Sequence, residues 1–76
     1  MDIQPVKTLT PHSDILTKRE KEIFNLLVNE YQTTEIAKRL DISPHTVSSH
    51  RKNIFQKTGT NSVLQLIKLG LEKGWV

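Results

Sequence analysis

Three residues, Ser43, Pro44 and Gly59, delimit one helix more sharply than any other signal in this sequence. Serine is a favoured N-cap, and proline is tolerated at the first helical position because the N–H that it lacks would have no partner there. Glycine readily adopts the left-handed conformation that ends a helix. The sequence therefore predicts a helix over residues 44–58. No segment of the chain shows the alternation of apolar and polar residues that is typical of a strand.

Similar signals predict three further helices. Thr17 and Glu20 have the spacing of a capping box, and apolar residues recur at helical intervals after them. A short helix follows after a break in this pattern. Asn61 is expected to cap a last helix, with Gly74 beyond its end. The four predicted helices span residues 18–30, 34–40, 44–58 and 62–73.

A short helix, a tight turn and a longer capped helix form the helix-turn-helix pattern. We expect an all-α, four-helix helix-turn-helix domain over residues 15–76, with its core at 33–52. Residues 1–14 contain two prolines and show no helical period, which indicates a flexible lead-in or linker. The chain of 76 residues has no cysteine, so a single domain must be held by helix packing without disulfides.

The predicted helix over residues 44–58 has two different faces. A rotation of about 100° per residue places Val47 and Ile54 on an apolar face. The opposite face carries only side chains that can form hydrogen bonds, and none of them is acidic. Most are short, which permits close approach to base edges, so we predict that this helix enters the major groove of double-stranded DNA. The residues expected to contact bases are His45, Ser48, Ser49 and Lys52.

Other polar residues are placed where a phosphate backbone would pass. Thr46, Asn53 and Lys57 lie to one side of the polar face. Thr33 and Thr34 begin the preceding helix, where free backbone N–H groups attract anions. The net charge of +3 is compatible with an anionic partner but decides little by itself. We expect these five residues to contact the DNA backbone.

Two charged residues fall within apolar faces. Glu20 lies on the apolar face of the first helix and Arg51 on that of the third, and both would be costly to bury without a partner. We expect a structural ion pair between Arg51 and an acid, either Glu20 or Glu35. The alternative is that the long Arg51 side chain extends to a phosphate.

The last helix carries an apolar face wider than the roughly 100° that a core-facing stripe needs. Leu64, Ile67 and Leu71 supply much of this surface. We expect a two-fold symmetric homodimer through this helix. The alternative is that Leu64 and Trp75 fold back on the first helix.

No pattern in the sequence indicates an enzyme, a metal site or a cofactor. His45 and His50 are five residues apart, whereas a metal pair on one helix uses a spacing of four. There is no nucleophile–base pair and no glycine-rich phosphate loop. No apolar run approaches the roughly 18 residues of a membrane span. We therefore expect a cytoplasmic protein that binds DNA and has no enzymatic activity, cofactor or membrane contact.

Several segments, in order and at matching spacing, resemble the LuxR-type helix-turn-helix domain (NarL/FixJ, GerE-like). They are LTKREKEI at 16–23, EIAKRLDIS at 35–43, TVSSHRKNI at 46–54 and KTG at 57–59. The resemblance implies a bacterial transcription regulator that binds DNA as a dimer. It implies, further, that Ser48, Ser49 and Lys52 reach bases and that Thr46, His50 and Lys57 lie near the backbone.

The resemblance also implies an upstream receiver or ligand-binding domain, and it suggests RNA polymerase as a partner. The chain departs from the family pattern at three places. Ser48 replaces a usual lysine, which removes a cation from the predicted interface. A glycine is usual near the end of the first helix, where this chain has Asn29, Glu30 and Tyr31, so the helix is expected to end differently or to run longer. Thr58 replaces a usual leucine, which is expected to thin the core.

Two other function classes share parts of this pattern. A sigma-factor region 4 also contains a helix-turn-helix, but it usually has arginine at the position of His50 and lacks the fourth helix. A helix-turn-helix-derived module that binds a protein partner is the other alternative, because Ser48 removes a cation that DNA binding would use. Loss of DNA binding with retained folding would favour that module.

Overall fold

The structure is a computed structural model that describes residues 15–75, and those residues form four helices without a strand. The predicted all-α, four-helix helix-turn-helix fold is therefore confirmed. The predicted lead-in at residues 1–14 lies outside the described residues, as does Val76. None of the four helices is long and apolar enough to cross a membrane. The helices are α1 (Lys18–Val28), α2 (Thr33–Leu40), α3 (Pro44–Thr58) and α4 (Val63–Lys73).

Local capping bonds explain why α1 and α3 begin where the sequence predicted. The Ser43 Oγ accepts the Thr46 backbone N–H at 3.0 Å at the start of α3. At the start of α1, the Thr17 Oγ1 accepts the Glu20 N–H at 3.1 Å, and the Thr17 N–H donates to the Glu20 Oε1 at 2.9 Å. Gly59 ends α3 in the left-handed conformation, with φ of 70°. These bonds satisfy donors that a helix terminus leaves free.

The end of α1 differs from the prediction, because the helix stops at Val28 and not at residue 30. The Glu30 N–H bonds back to the Leu27 carbonyl at 2.9 Å, and Glu30 itself has φ of 68°. The chain thus makes the left-handed turn for which glycine is best suited. A longer α1 is excluded, and glutamate occupies an unfavourable backbone conformation instead.

The other two helices, α2 and α4, also begin at residues that differ from the prediction. The N-cap of α4 is Ser62 and not Asn61, since the Ser62 Oγ accepts the Gln65 N–H at 3.2 Å. The helix therefore begins at Val63. Helix α2 begins one residue earlier than predicted, at Thr33, where the Gln32 N–H donates to a Glu35 carboxylate oxygen at 3.1 Å.

Helix α3 lies at the centre of the domain and packs against both α1 and α2, while α4 packs against α1. Trp75 follows α4 and is buried, with its ring edge-on to Phe24 of α1 at a centroid distance of 5.8 Å. Trp75 thus folds back on α1, which was the alternative considered for the last helix. Within the described part of the chain, the largest fully buried side chains are Ile23, Phe24, Ile36, Val47, Ile54 and Leu66.

Thr58 replaces apolar packing with hydrogen bonds at the end of α3. Its Oγ1 donates to the Ile54 carbonyl at 2.7 Å and lies 2.9 Å from the Thr60 Oγ1. The half-buried hydroxyl is therefore satisfied without displacing the core residue Ile54, which remains fully buried.

Candidate nucleic-acid interface

The predicted base-contacting face of α3 is exposed along its length. Val47 and Ile54, on the opposite face, have no exposed surface and anchor the helix to the core. No aspartate or glutamate occurs between Pro44 and Thr58. A helix held in this way can present its small polar side chains to a groove without reorganising the core. The exposed residues of this face are His45, Ser48, Ser49, Lys52 and Gln56.

The residues predicted to contact a DNA backbone lie around this face in different environments. Asn53 and Thr34 are exposed. Thr46 is half-buried, and its hydroxyl lies 2.9 Å from the Ser43 Oγ. Thr33 is also half-buried, at the first position of α2.

Lys57 forms an ion pair with Glu20, with 2.7 Å between the Lys57 Nζ and the Glu20 Oε1. Glu20 is only 3% exposed. Burial alone would raise the pKa of the Glu20 carboxyl. The hydrogen bonds from Lys57 and Thr17, together with electrostatic interactions with Lys57 and His50, outweigh burial and hold that pKa below its usual value. Lys57 is thus engaged within the protein.

The predicted ion pair between Arg51 and Glu20 or Glu35 was wrong. Lys57, not Arg51, occupies Glu20, and the Glu35 carboxylate accepts the Gln32 N–H. Arg51 precedes Lys57 by six residues, which places the two side chains roughly 9 Å apart along the helix axis and about 120° apart around it, so they leave α3 in different directions. No carboxylate lies within 4 Å of the Arg51 guanidinium among residues 15–75.

Arg51 contacts Thr33 and Phe55 instead. Its Nη1 donates to the Thr33 Oγ1 at 3.5 Å, and the guanidinium carbon lies 5.5 Å from the centre of the Phe55 ring. The Arg51 Nε is buried without a hydrogen-bond partner in the described part of the chain.

His50 lies half-buried beside Arg51 in sequence, and its Nδ1 is buried without a hydrogen-bond partner among residues 15–75.

Sequence reasoning missed the contact between Arg39 and Tyr31. The Arg39 Nη2 donates to the Tyr31 Oη at 2.9 Å, and its guanidinium carbon lies 4.2 Å from the ring centre. The eight-residue separation across a turn left no helical spacing by which to predict this pair.

Arg51 borders two shallow depressions of the surface. The larger, of about 480 Å³, has Gln32, Thr33 and Thr34 among its lining residues. The smaller, of about 380 Å³, includes Ser48 and Lys52 of the predicted base-contacting face. Arg51 therefore lines both depressions, one beside the start of α2 and the other beside the exposed face of α3.

The predicted dimer residues of α4 differ in exposure. Leu64 is 68% exposed and Leu71 is 65% exposed, while Ile67 is half-buried. Leu64 therefore does not fold back on α1 as Trp75 does. The two leucines are seven residues apart, which places them on the same side of the helix about two turns from each other.

Comparison with known proteins places this architecture in a family. Residues 14–69 match the family described as "Bacterial regulatory proteins, luxR family". The chain is 45% identical over 60 residues to the spore germination protein GerE of Bacillus subtilis (strain 168), covering 74% of this chain and 81% of that protein. It is 36% identical over 74 residues to the response regulatory protein YgeK of Escherichia coli (strain K12), covering 97% of this chain and 50% of that protein.

The fold is also similar to a solved structure, that of full-length FixJ from B. japonicum. The TM-score is 0.73 at 28% sequence identity, and the match covers 96% of this chain and 39% of FixJ. The chain thus spans half or less of YgeK and FixJ. The matching family consists of regulatory proteins, which agrees with the expected absence of enzymatic activity. Because the family match covers residues 14–69 and a relative is 45% identical over 60 residues, the chain belongs to the luxR family of bacterial regulatory proteins.

Proposed function

We propose that this domain binds double-stranded DNA in a sequence-specific manner, with α3 in the major groove, and thereby regulates transcription in the bacterial cytoplasm. The observation that carries the proposal is the exposed, acid-free face of α3 opposite a fully buried apolar face. Hydroxyl, imidazole and ammonium groups supply the donors and acceptors that direct readout of base edges uses. The proposed base-contacting residues are His45, Ser48, Ser49 and Lys52.

The residues around this face are proposed to contact the phosphate backbone, which positions the helix without reading sequence. Thr34 and Asn53 are exposed and can approach a phosphate directly. Lys57 is 38% exposed while paired with Glu20, so its ammonium retains access to solvent. The full proposed set is Thr33, Thr34, Thr46, His50, Asn53 and Lys57.

We propose, in addition, that the domain binds DNA as a homodimer through α4. The two exposed leucines, Leu64 and Leu71, support this proposal together with the adjacent Ile67. Two monomers related by a two-fold axis would then read half-sites about 34 Å apart. An upstream receiver domain and contact with RNA polymerase are further proposals. The description of YgeK as a response regulatory protein, of which this chain spans half, supports the first of them.

Fluorescence anisotropy with a pool of random-sequence duplexes, across a series of salt concentrations, tests DNA binding. The wild type is compared with Lys52→Ala and with a control, Lys18→Ala, which removes an exposed lysine at the start of α1. We expect salt-dependent binding that Lys52→Ala weakens roughly tenfold and that Lys18→Ala leaves nearly unchanged.

A wild-type domain that is folded but does not bind at low salt would contradict this proposal. It would favour the protein-interaction module instead, for which the loss of a cation at Ser48 is the sequence argument. Circular dichroism of each variant separates loss of binding from loss of folding.

A further inference from the structure

The Arg51 guanidinium has hydrogen-bonding capacity that the protein does not use. A guanidinium carries five N–H donors. Within residues 15–75, the protein acceptor for Arg51 is the Thr33 Oγ1, at a long 3.5 Å, and the buried Nε has no partner. A buried donor without an acceptor is costly. The Nη2 group donates to no acceptor among these residues, so it can donate to a bound partner.

The surroundings of Arg51 favour an anion as this partner. Thr33 and Thr34 offer hydroxyl groups in the larger depression, and Lys52 adds a cation in the smaller one. Glu30 lines the larger depression but forms no ion pair with Arg51 within 4 Å. The Phe55 ring, 5.5 Å from the guanidinium carbon, supports the side chain by a cation–π contact.

We propose that Arg51 binds a backbone phosphate of the DNA duplex, with Thr33 and Phe55 orienting its guanidinium. This inference rests on the proposed function, and it adds a phosphate contact on the side of α3 that faces the start of α2. A planar guanidinium can donate two parallel hydrogen bonds to a phosphate, which lysine cannot do. These hydrogen bonds would fix the position of α3 relative to the phosphate backbone.

The number of phosphates that a protein neutralises is measured by the slope of log Kobs against log salt concentration, which changes by about 0.9 per phosphate. We expect Arg51→Gln to reduce the magnitude of this slope by about 0.9. The affinity lost between 50 and 200 mM salt would then be smaller by roughly 3.5-fold. The matched control is Arg19→Gln, which removes the same charge from an exposed pair with Glu22 on α1 and should leave the slope unchanged.

If the wild type binds DNA and Arg51→Gln shows the same salt slope as the wild type, the inference is overturned while the proposed function stays intact. A folded wild type that does not bind at low salt overturns both. Nuclear magnetic resonance of the arginine Nε–Hε groups covers the case in which Arg51→Gln does not fold. The chain has three arginines, and addition of a duplex to the wild type should shift the Arg51 signal but not the Arg19 signal. If the Arg51 signal does not shift when the protein is saturated with the duplex, the phosphate contact is excluded.

Discussion

Glu20 and Lys57 join the start of α1 to the last turn of α3 through a 2.7 Å ion pair in which only the lysine is partly exposed. The same carboxylate oxygen accepts the Thr17 N–H that begins α1. One side chain therefore contributes both to the capping of a helix and to the packing of two helices. The effects of its removal should be correspondingly large.

We expect Glu20→Ala to lower the free energy of unfolding by roughly 2–4 kcal/mol, because it removes part of a capping box and leaves Lys57 without its partner. The control Glu22→Ala removes an exposed pair with Arg19 and should cost less than about 1 kcal/mol. Urea denaturation of the three proteins measures both values. Equal costs for the two variants would show that the Glu20 pair contributes no more than a surface pair.

The Glu20 pair should also make stability depend on pH. The pKa of Glu20 is lowered in the folded protein from its usual 4.5, so the unfolded chain binds the proton more readily. The contribution is then fully present above pH 4.5 and is lost as pH falls through the lower, folded value. Thermal unfolding of the wild type and Glu20→Gln between pH 3 and 7 should show a difference that shrinks below pH 4.5. A difference that is independent of pH would contradict the lowered pKa.

Glu30 offers a stabilising substitution, because it holds φ of 68° at the end of α1. A non-glycine residue in this region costs about 1–2 kcal/mol, and glycine loses part of that gain through its greater freedom in the unfolded chain. We expect Glu30→Gly to raise the free energy of unfolding by roughly 0.5–1 kcal/mol. Asn25→Gly, at an exposed position inside α1, should have the opposite effect, a loss of about 1 kcal/mol. Thermal unfolding that shows Glu30→Gly to be less stable than the wild type would refute the strain argument.

Ser48 can be tested by restoring the cation that the family pattern has at this position. If Ser48 faces DNA, Ser48→Lys should increase the magnitude of the salt slope by about 0.9 and raise affinity for random-sequence duplexes. The control Asn25→Lys adds the same charge to an exposed position on α1 and should change the slope much less. Identical slopes for both variants would place Ser48 away from the DNA.

The two exposed leucines of α4 can be tested by analytical ultracentrifugation with and without a duplex that carries two half-sites. We expect Leu71→Glu to abolish the two-protein complex on DNA, because a charge would be buried in an apolar interface. The control Ile15→Glu adds the same charge at an apolar residue that is 41% exposed before α1. A dimer that Leu71→Glu leaves intact would require a different interface.

Local interactions explain what the sequence determined by itself. The capping residues Ser43 and Gly59 act within one turn of the helix that they delimit, so the bounds of α3 followed directly from the sequence. Helical periodicity likewise separated the buried Val47 from the exposed Ser48. The end of α1 was misplaced because Glu30 adopts a conformation that its residue type disfavours.

The tertiary structure decided the contacts between residues that are distant in sequence. Glu20 and Lys57 are 37 residues apart, and only the packing of α1 against α3 brings Lys57 rather than Arg51 to the carboxylate. Tertiary packing also decided the contacts of the C-terminal segment, where Trp75 packs on Phe24 while Leu64 remains exposed. Periodicity shows which residues share a face of a helix, but it does not show which neighbouring helix covers that face or how the two helices align along their axes.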